Sequence, residues 1–313
     1  MKIGFIGLGN VGGKLAGSLF RNKFDLTVYD LDKNVTDKFK LKGIKIKNSI
    51  SEIVKEVDVV ITCLPSPKIC SDVMLSENGI LKNISKGKIW IEMSTTDQKD
   101  IIKFGKLVKE KGATPLEAPV SGGCHRAATG NIAIFVGGER TAFDMVLPIL
   151  TCMGKKILHV GELGSASILK VITNYLASVN LAALGEAWTI AKKNNLDLKK
   201  TYDGIKISSG NSFVHETESQ VILNGSYNIN FTMDLVEKDM SLFYKLSKDE
   251  DIELEIAPFV LNIFKDAKKK FGSRAWSSMV VKRLEDKYNI NFREKGFPEE
   301  LIDTEPEEKG NEI

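Results

Sequence analysis

The chain opens on a short apolar run, "KIGFIG", followed by closely spaced glycines and by Leu15 and Leu19 at helical spacing. A continuous apolar run of this length predicts a strand covered on both faces, as in a parallel sheet. "DLTVYD" is a second such strand and ends at Asp30. The alternation continues through "VDVVITCLP" (57–65), "GKIWIEMSTT" (87–96), "ATPLEAPVSGG" and "NIAIFVGG" (131–138), each predicting a strand. A helical pattern, "RTAFDMVLPILTCMG", and a short strand, "KKILHVG", close this part near residue 163. Strands alternating with helical stretches predict an open, doubly wound α/β domain. After Gly161 and Gly164 the pattern changes. Residues 165–193 contain no proline and are apolar nearly all round. That predicts a long, mostly buried helix of about 40 Å at ~1.5 Å per residue. Further helices follow, with loops at "ISSGNS" and "NGSYNINF" and no renewed strand pattern. The expected fold is therefore α/β: a doubly wound domain of Rossmann type over 1–163, joined through a long interdomain helix to an all-α domain over 164–289. Residues 290–313 turn acidic and polar and read as a frayed tail or a partner-docking arm.

Composition narrows the function classes. Hydrophobic residues make up 42% and charged residues 27%, an ordinary globular balance. A formal charge of +3 over 313 residues gives no support to a nucleic-acid or membrane-surface partner. No apolar run is expected to span a bilayer, and a strand beginning at residue 2 leaves no room for a signal peptide. Cys63, Cys70, Cys124 and Cys152 show no C-x-x-C spacing, and the three histidines form no H-E-x-x-H. No metal site is expected, and a reduced, cytoplasmic chain is.

Candidate chemistry begins at the first turn. Gly7, Gly9 and Gly12 form G-x-G-x-x-G between the first strand and the first helix, with Leu8, Asn10 and Val11 completing the loop. Asp30 ends the next strand roughly 20 residues on, the context a dinucleotide fingerprint requires. Its carboxylate suits ribose hydroxyls and repels a 2′-phosphate, so NAD is the expected cofactor, with NADP possible because Lys33 is near. Leu64 and Pro65 end one strand on the adenosine side; Ser94 and Thr95 end another on the nicotinamide side.

"PVSGGCHRAATG" (119–130) packs Ser121, Gly122, Gly123, Cys124, His125 and Arg126 together. A thiol beside its base is one reading of it, but no third orienting group is apparent. On the long helix, Lys170 and Asn174 share a face, with Thr173 beside them, among Ile168, Leu169, Val171, Ile172 and Leu176. A lysine there is either a snorkelling side chain or a general base tuned by desolvation. The helix's apolar circumference suggests a partner copy, hence a homodimer or homotetramer.

These segments together resemble the β-hydroxyacid dehydrogenase family, a branch of the 6-phosphogluconate dehydrogenase superfamily. "GFIGLGNVGGKLAGSL" is similar to the family's cofactor loop and "EAPVSGGCHRAATGNIAIFVGG" to its substrate loop. "GELGSASILKVITN" is similar to its catalytic helix and "DLVEKDMSLF" (234–243) to its lysine–aspartate segment. The resemblance covers about residues 1–285. It implies an NAD(P)-dependent enzyme that interconverts a small anionic hydroxyacid and its aldehyde or ketone. Lys170 would then be the catalytic acid/base and Asn174 would hold the substrate or orient the lysine. Ser121, Gly122 and Gly123 would bind the substrate carboxylate, and Lys238 would reach the cofactor or substrate. Thr173 stands where the family usually has a further asparagine. Cys124, His125 and Arg126 stand where it has small or variable residues, so His125 and Arg126 are candidates for reading a second anionic or polar group. Two rivals remain: oxidative decarboxylation, for which Glu186 on the same helix is the available second acid, and a non-catalytic NAD-binding sensor. Glu186 lies sixteen residues from Lys170, about 24 Å along a helix, and reads as a packing or capping residue.

Overall fold

The structure is a computed structural model describing residues 1–313. The chain divides into two compact units, Met1–Lys170 together with Asp303–Ile313, and Val171–Ile302.

The first unit is the α/β one. Its elements run β1 (Lys2–Ile6), α1 (Gly12–Arg21), β2 (Asp25–Tyr29), α2 (Lys33–Leu41), β3 (Lys45–Ile46), α3 (Ile50–Glu56), β4 (Val59–Thr62), α4 (Pro67–Leu75) and α5 (Ile80–Asn83). They continue β5 (Ile89–Glu92), α6 (Gln98–Glu110), β6 (Thr114–Glu117), β7 (Val120–Ser121), α7 (Gly123–Thr129), β8 (Ile132–Gly138), α8 (Arg140–Met153) and β9 (Gly154–Gly161), and then the long α9 (Ser165–Lys193) begins. One sheet holds every strand, in the order β10-β9-β8-β6-β5-β4-β1-β2-β3 with β7 beside β8, where β10 is Asn311–Glu312 near the chain end. β1 pairs in parallel with both β2 and β4, so the strand order reverses there. Crevices at such a switch point, beyond the strands' carboxyl ends, are where open α/β sheets take ligands.

The apolar runs are explained by two-sided burial. Val59 and Ile61 of β4, with Ile89 and Ile91 of β5, enter one core, while Val60 and Trp90 enter the core on the opposite face. Helix starts are set locally: Asp32, Ser49, Ser66 and Asp97 each accept a first-turn N–H of the helix that follows them. The second unit is helical: α10 (Leu198–Lys206), α11 (Phe213–Asn224), α12 (Met233–Asp249), α13 (Ile256–Phe271), a 3-10 turn at Ser277–Val280 and α14 (Lys282–Tyr288). Trp188, Phe264, Met240 and Phe292 fill its core. Buried Glu285 accepts from Phe292 N at 2.7 Å and Arg293 Nη1 at 3.0 Å, and Tyr227 donates its hydroxyl to the same carboxyl group.

Several sequence expectations need correction. The boundary between units falls inside α9, after Lys170, because the helix's first turns pack with the sheet unit. α9 is not mostly buried: Ile172, Leu176, Asn180, Ala183, Ala187 and Ile190 are all exposed. By length and composition alone α9 would also pass for a membrane span, contrary to the expectation of no such run, a test that core helices of soluble proteins also pass. Glu186 is exposed and mid-helix, so it neither packs nor caps. The acidic tail is not frayed. Residues Asp303–Ile313 belong to the first unit, where β10 pairs in parallel with β9 and extends the sheet. Gly310 N donates to Thr151 O at 2.8 Å, and Ile313 N to Ile157 O at 3.0 Å. Glu305, Glu307 and Glu312 meet Arg126, Arg21 and Arg140 respectively. The acids that looked like a solvated tail are the complement of a basic face.

Candidate active site

The glycine loop leaves β1 and enters α1 at the switch point. Gly7 takes a φ of +95°, and a Cβ on it would stand 2.3 Å from Cys63 O at the end of β4. A Cβ on Gly12 would stand 2.2 Å from Gly7 O. Both positions exclude side chains for reasons internal to the chain. Gly9 is different: a Cβ there would meet no protein atom within 4 Å. The loop is open on that side, and no side chain caps the N-terminus of α1 behind it. A bare helix N-terminus behind an open glycine is the donor set a pyrophosphate requires, so these residues fit a dinucleotide. Asp30 closes the loop, accepting from Leu8 N at 2.6 Å and from Asp32 N at 2.9 Å. Asn10 is exposed and Val11 partly buried.

Leu64 is partly buried and Pro65 exposed beyond β4. Leu64 N donates to Ser94 Oγ at 2.7 Å. Ser94, in turn, donates through both its hydroxyl and its N–H to the Glu92 carboxyl. Glu92 is 1% exposed, and burial pushes its pKa up to about 7 against the pull of these donors. Ser94 therefore ties the ends of β4 and β5 together and is itself buried, whereas Thr95 beside it is partly exposed. Sequence reading did not single out Glu92; a glutamate ending an apolar strand carries no local signal.

The "SGG" turn links β7 to α7. Ser121 is half-buried, and Gly122 and Gly123 take φ of +128° and +87°, conformations that favour glycine. Cys124 points into the core, and burial pushes its thiol to about 11, which removes it as a nucleophile near neutral pH. Burial and the neighbouring Arg126 charge hold His125 below the usual imidazole range, favouring the neutral ring. Arg126 already has an anion: its Nη2 lies 2.8 Å from Glu305 Oε1.

Lys170 is only 7% exposed, in the second turn of α9. Within the second unit Asn174 Nδ2 donates to Asp239 Oδ2 at 2.5 Å, and Lys238 Nζ stands 2.9 Å from Asp239 Oδ1. Two of the expected site residues thus meet on one buried aspartate, with Thr173 half-buried nearby in sequence. Asp239 has no mark of its own in the sequence beyond its place beside Lys238 in the lysine–aspartate segment. No group of three or more His, Cys, Asp or Glu that could hold a metal is present.

Comparison with known proteins agrees with this geometry. Residues 2–161 match the NAD-binding domain of 6-phosphogluconate dehydrogenase, and residues 164–284 match the NAD-binding domain of NADP-dependent 3-hydroxyisobutyrate dehydrogenase. The chain belongs to the β-hydroxyacid dehydrogenase family. A 2-(hydroxymethyl)glutarate dehydrogenase from Eubacterium barkeri is 30% identical over 93% of this chain and 97% of its own. The mitochondrial 3-hydroxyisobutyrate dehydrogenase of Rattus norvegicus is 33% identical over 77% of this chain and 74% of its own. The solved 3-hydroxyisobutyrate dehydrogenase of Salmonella typhimurium superposes with a TM-score of 0.83 at 25% identity, over 90% of this chain and 99% of that one. The β-hydroxyacid dehydrogenase fold is thus an NAD(P)-binding α/β unit followed by a helical one, and this chain is an NAD(P)-dependent hydroxyacid dehydrogenase. The helical family match ends at residue 284, before the docked tail.

Proposed function

We propose that the chain catalyses the reversible oxidation of a small β-hydroxyacid, of the 3-hydroxyisobutyrate type, to its aldehyde or ketone. Lys170 serves as general acid/base. Bound NAD supplies the hydride acceptor for the carbinol hydrogen. Lys170 Nζ, unprotonated, takes the hydroxyl proton during oxidation and returns it during reduction. Ser121 and the backbone at Gly122 and Gly123 hold the substrate carboxylate, and Asn174, one turn beyond Lys170 on α9, orients the lysine. The observation that carries the reading is a lysine buried to 7% exposure on the helix whose segment the family shares. A lysine so buried is costly to keep unless it has a partner or a task. Replacing Lys170 by Ala is expected to lower kcat by about 10²–10⁴. Turnover within tenfold of wild type would remove Lys170 from the chemistry.

Asp30 supports NAD over NADP, since its carboxylate faces the glycine loop where a 2′-phosphate would be repelled. A kcat/KM comparison of the two cofactors tests it. Because Arg126 is engaged by Glu305, a monocarboxylate is the preferred substrate. The relative that acts on hydroxymethylglutarate supports a dicarboxylate instead. Assay of both acids separates these readings, and an absence of CO2 release excludes the decarboxylating rival. We also propose a homodimer or homotetramer, supported by the apolar stripe Ile172, Leu176, Ala183, Ala187 and Ile190 left exposed along α9, and a cytoplasmic location, supported by four cysteines none of which is in a disulfide.

A further inference from the structure

We infer that Glu117 is the positioning residue for Lys170, holding the first turn of α9 in place from the end of β6. The inference rests on the proposed acid/base role of Lys170.

α9 starts without a side chain of its own to cap it, because the residue before Ser165 is Gly164, with φ of +104°. The orphan donors of its first turn are collected by a residue far back in the chain. Glu117 Oε1 accepts from Gly164 N at 2.6 Å and from Ala166 N at 2.9 Å. Glu117 Oε2 accepts from Ser167 N at 3.0 Å and from the Ser167 hydroxyl. The remaining first-turn amide, Ser165 N, reaches Glu162 O at 3.0 Å. Room for the carboxyl group is made by Gly137 on the paired strand β8, where a Cβ would stand 2.3 Å from Glu117 Oε1.

This is an expensive way to start a helix. Glu117 is 1% exposed, and burial pushes its pKa up even against four donors. The φ of +104° at Gly164, where a Cβ would also stand 3.1 Å from Gln98 and Ile102, bars a Ser, Thr, Asp or Asn that could cap α9 locally. What a remote cap adds is location. It ties the turn to the middle of the sheet, with two carboxylate oxygens fixing both the rotation and the rise of the helix. Charge-assisted bonds to several N–H groups are the stiff kind. Lys170 lies three residues after Ser167 and four after Ala166, so it stands on the gripped turn, and helical side chains lean back over the turn before them. An acid/base displaced by about 1 Å can lose about 10²-fold in rate.

The test compares Glu117→Gln, which keeps one acceptor and removes the charge, with Glu117→Asp, which keeps the charge and shortens the reach. In Glu117→Gln we expect amide exchange at Ala166 and Ser167 to accelerate and the NADH dissociation constant to stay within about twofold. We expect kcat to fall by tenfold or more, with a larger solvent isotope effect as proton transfer becomes limiting. Glu117→Asp should recover part of kcat. Faster exchange or a lower Tm with kcat and isotope effect unchanged would reduce Glu117 to a structural cap and overturn the inference. Should Glu117→Gln not fold, Gly137→Ala crowds the same carboxylate without changing it and is read by the same measurements. Lys170→Ala run in parallel keeps the two readings apart: retained turnover there defeats the lysine role, whatever the exchange data at Ala166 and Ser167 show.

Discussion

Glu92 and Glu218 are acids held where water does not help them. Glu92 ends β5 beneath Ser94, and burial raises its pKa to about 7. Glu218, on α11, has an Oε2 sealed from solvent with no partner, and burial raises it to about 8. A carboxyl whose folded pKa lies above its unfolded value keeps its proton in the folded state while the unfolded chain releases it. Each therefore costs stability as pH rises from about 4.5 towards its folded value. For Glu92 that is on the order of 3 kcal/mol once pH exceeds 7, from ~1.36 kcal/mol per unit. Glu92→Gln keeps an acceptor for Ser94 and removes the ionisation. Chemical denaturation should find it more stabilising, or less destabilising, at pH 8 than at pH 5, and an equal effect at both would mean the group ionises normally. Asp239 gives a different kind of prediction. Asp239→Ala removes the shared partner of Asn174 and Lys238, so kcat should fall at least tenfold with Tm changed by a few degrees, whereas Asp239→Asn should fall between. At this scale the sequence was legible where a residue's own backbone or burial posed the problem. Gly7 is marked by its own φ of +95° and Gly12 by Gly7 O five residues before it, and Lys170 is conspicuous because lysine is costly in an apolar helix. Glu117, Glu92 and Asp239 were silent, since each matters only through partners brought to it by the fold. The Glu117 partners begin 47 residues away and the Asn174 partner is 65 away.

The strands and long helices were readable because their apolar runs are long and covered on both sides. The short elements were not. β3 and β10 are two residues each, too short for any periodicity, and α7 hides in "GCHRAAT" because glycine and threonine punctuate it. β10 exists because the sheet edge at β9 offers it backbone partners and because basic side chains await its acids. The ion pairs are largely exposed and worth roughly 0–1 kcal/mol each, so they guide the tail more than they hold it. Close backbone approach is the firmer lock: a Cβ on Gly310 would stand 1.9 Å from Gly154 O. Gly310→Ala should therefore undock residues 303–313. Limited proteolysis should cut there faster, Tm should fall by a few degrees, and the loss should be nearly independent of added salt. A tail that stays protected in Gly310→Ala, or a loss that grows with falling ionic strength, would return the dominant role to the ion pairs. Undocking also frees Arg126 from Glu305, so any gain in activity towards a dicarboxylate would appear in this variant first.

For the molecule as a whole, the pattern change after Gly164 was enough to separate an α/β unit from a helical one. It was not enough to place their border, because α9 runs unbroken through it and only packing assigns Ser165–Lys170 to the sheet. The same helix shows why burial could not be read from composition. Apolar residues all round are explained on one side by Val171, Leu181, Leu184 and Trp188 in the interior. The opposite stripe recurs at intervals of three and four residues, Ile172 to Leu176 and then Ala183, Ala187 and Ile190, with Asn180 and Glu186 its polar members. Isolated exposed apolar residues need no explanation, but a continuous stripe along one helix does. On the proposed oligomer, a second copy laying the same stripe alongside would bury it through a two-fold arrangement in which each residue meets its symmetry equivalent or neighbour. The small residues Ala183 and Ala187 would let two helices approach closely there, while Leu176 and Ile190 supply the bulk. Replacing Leu176 and Ile190 together by Lys places like charges in that seam and leaves the interior face of α9 untouched. Light scattering after size exclusion should then give a mass near 34.6 kDa, with wild type at twice or four times that. Wild-type protein running as a monomer at micromolar concentration would leave the stripe without a partner copy and defeat the proposal.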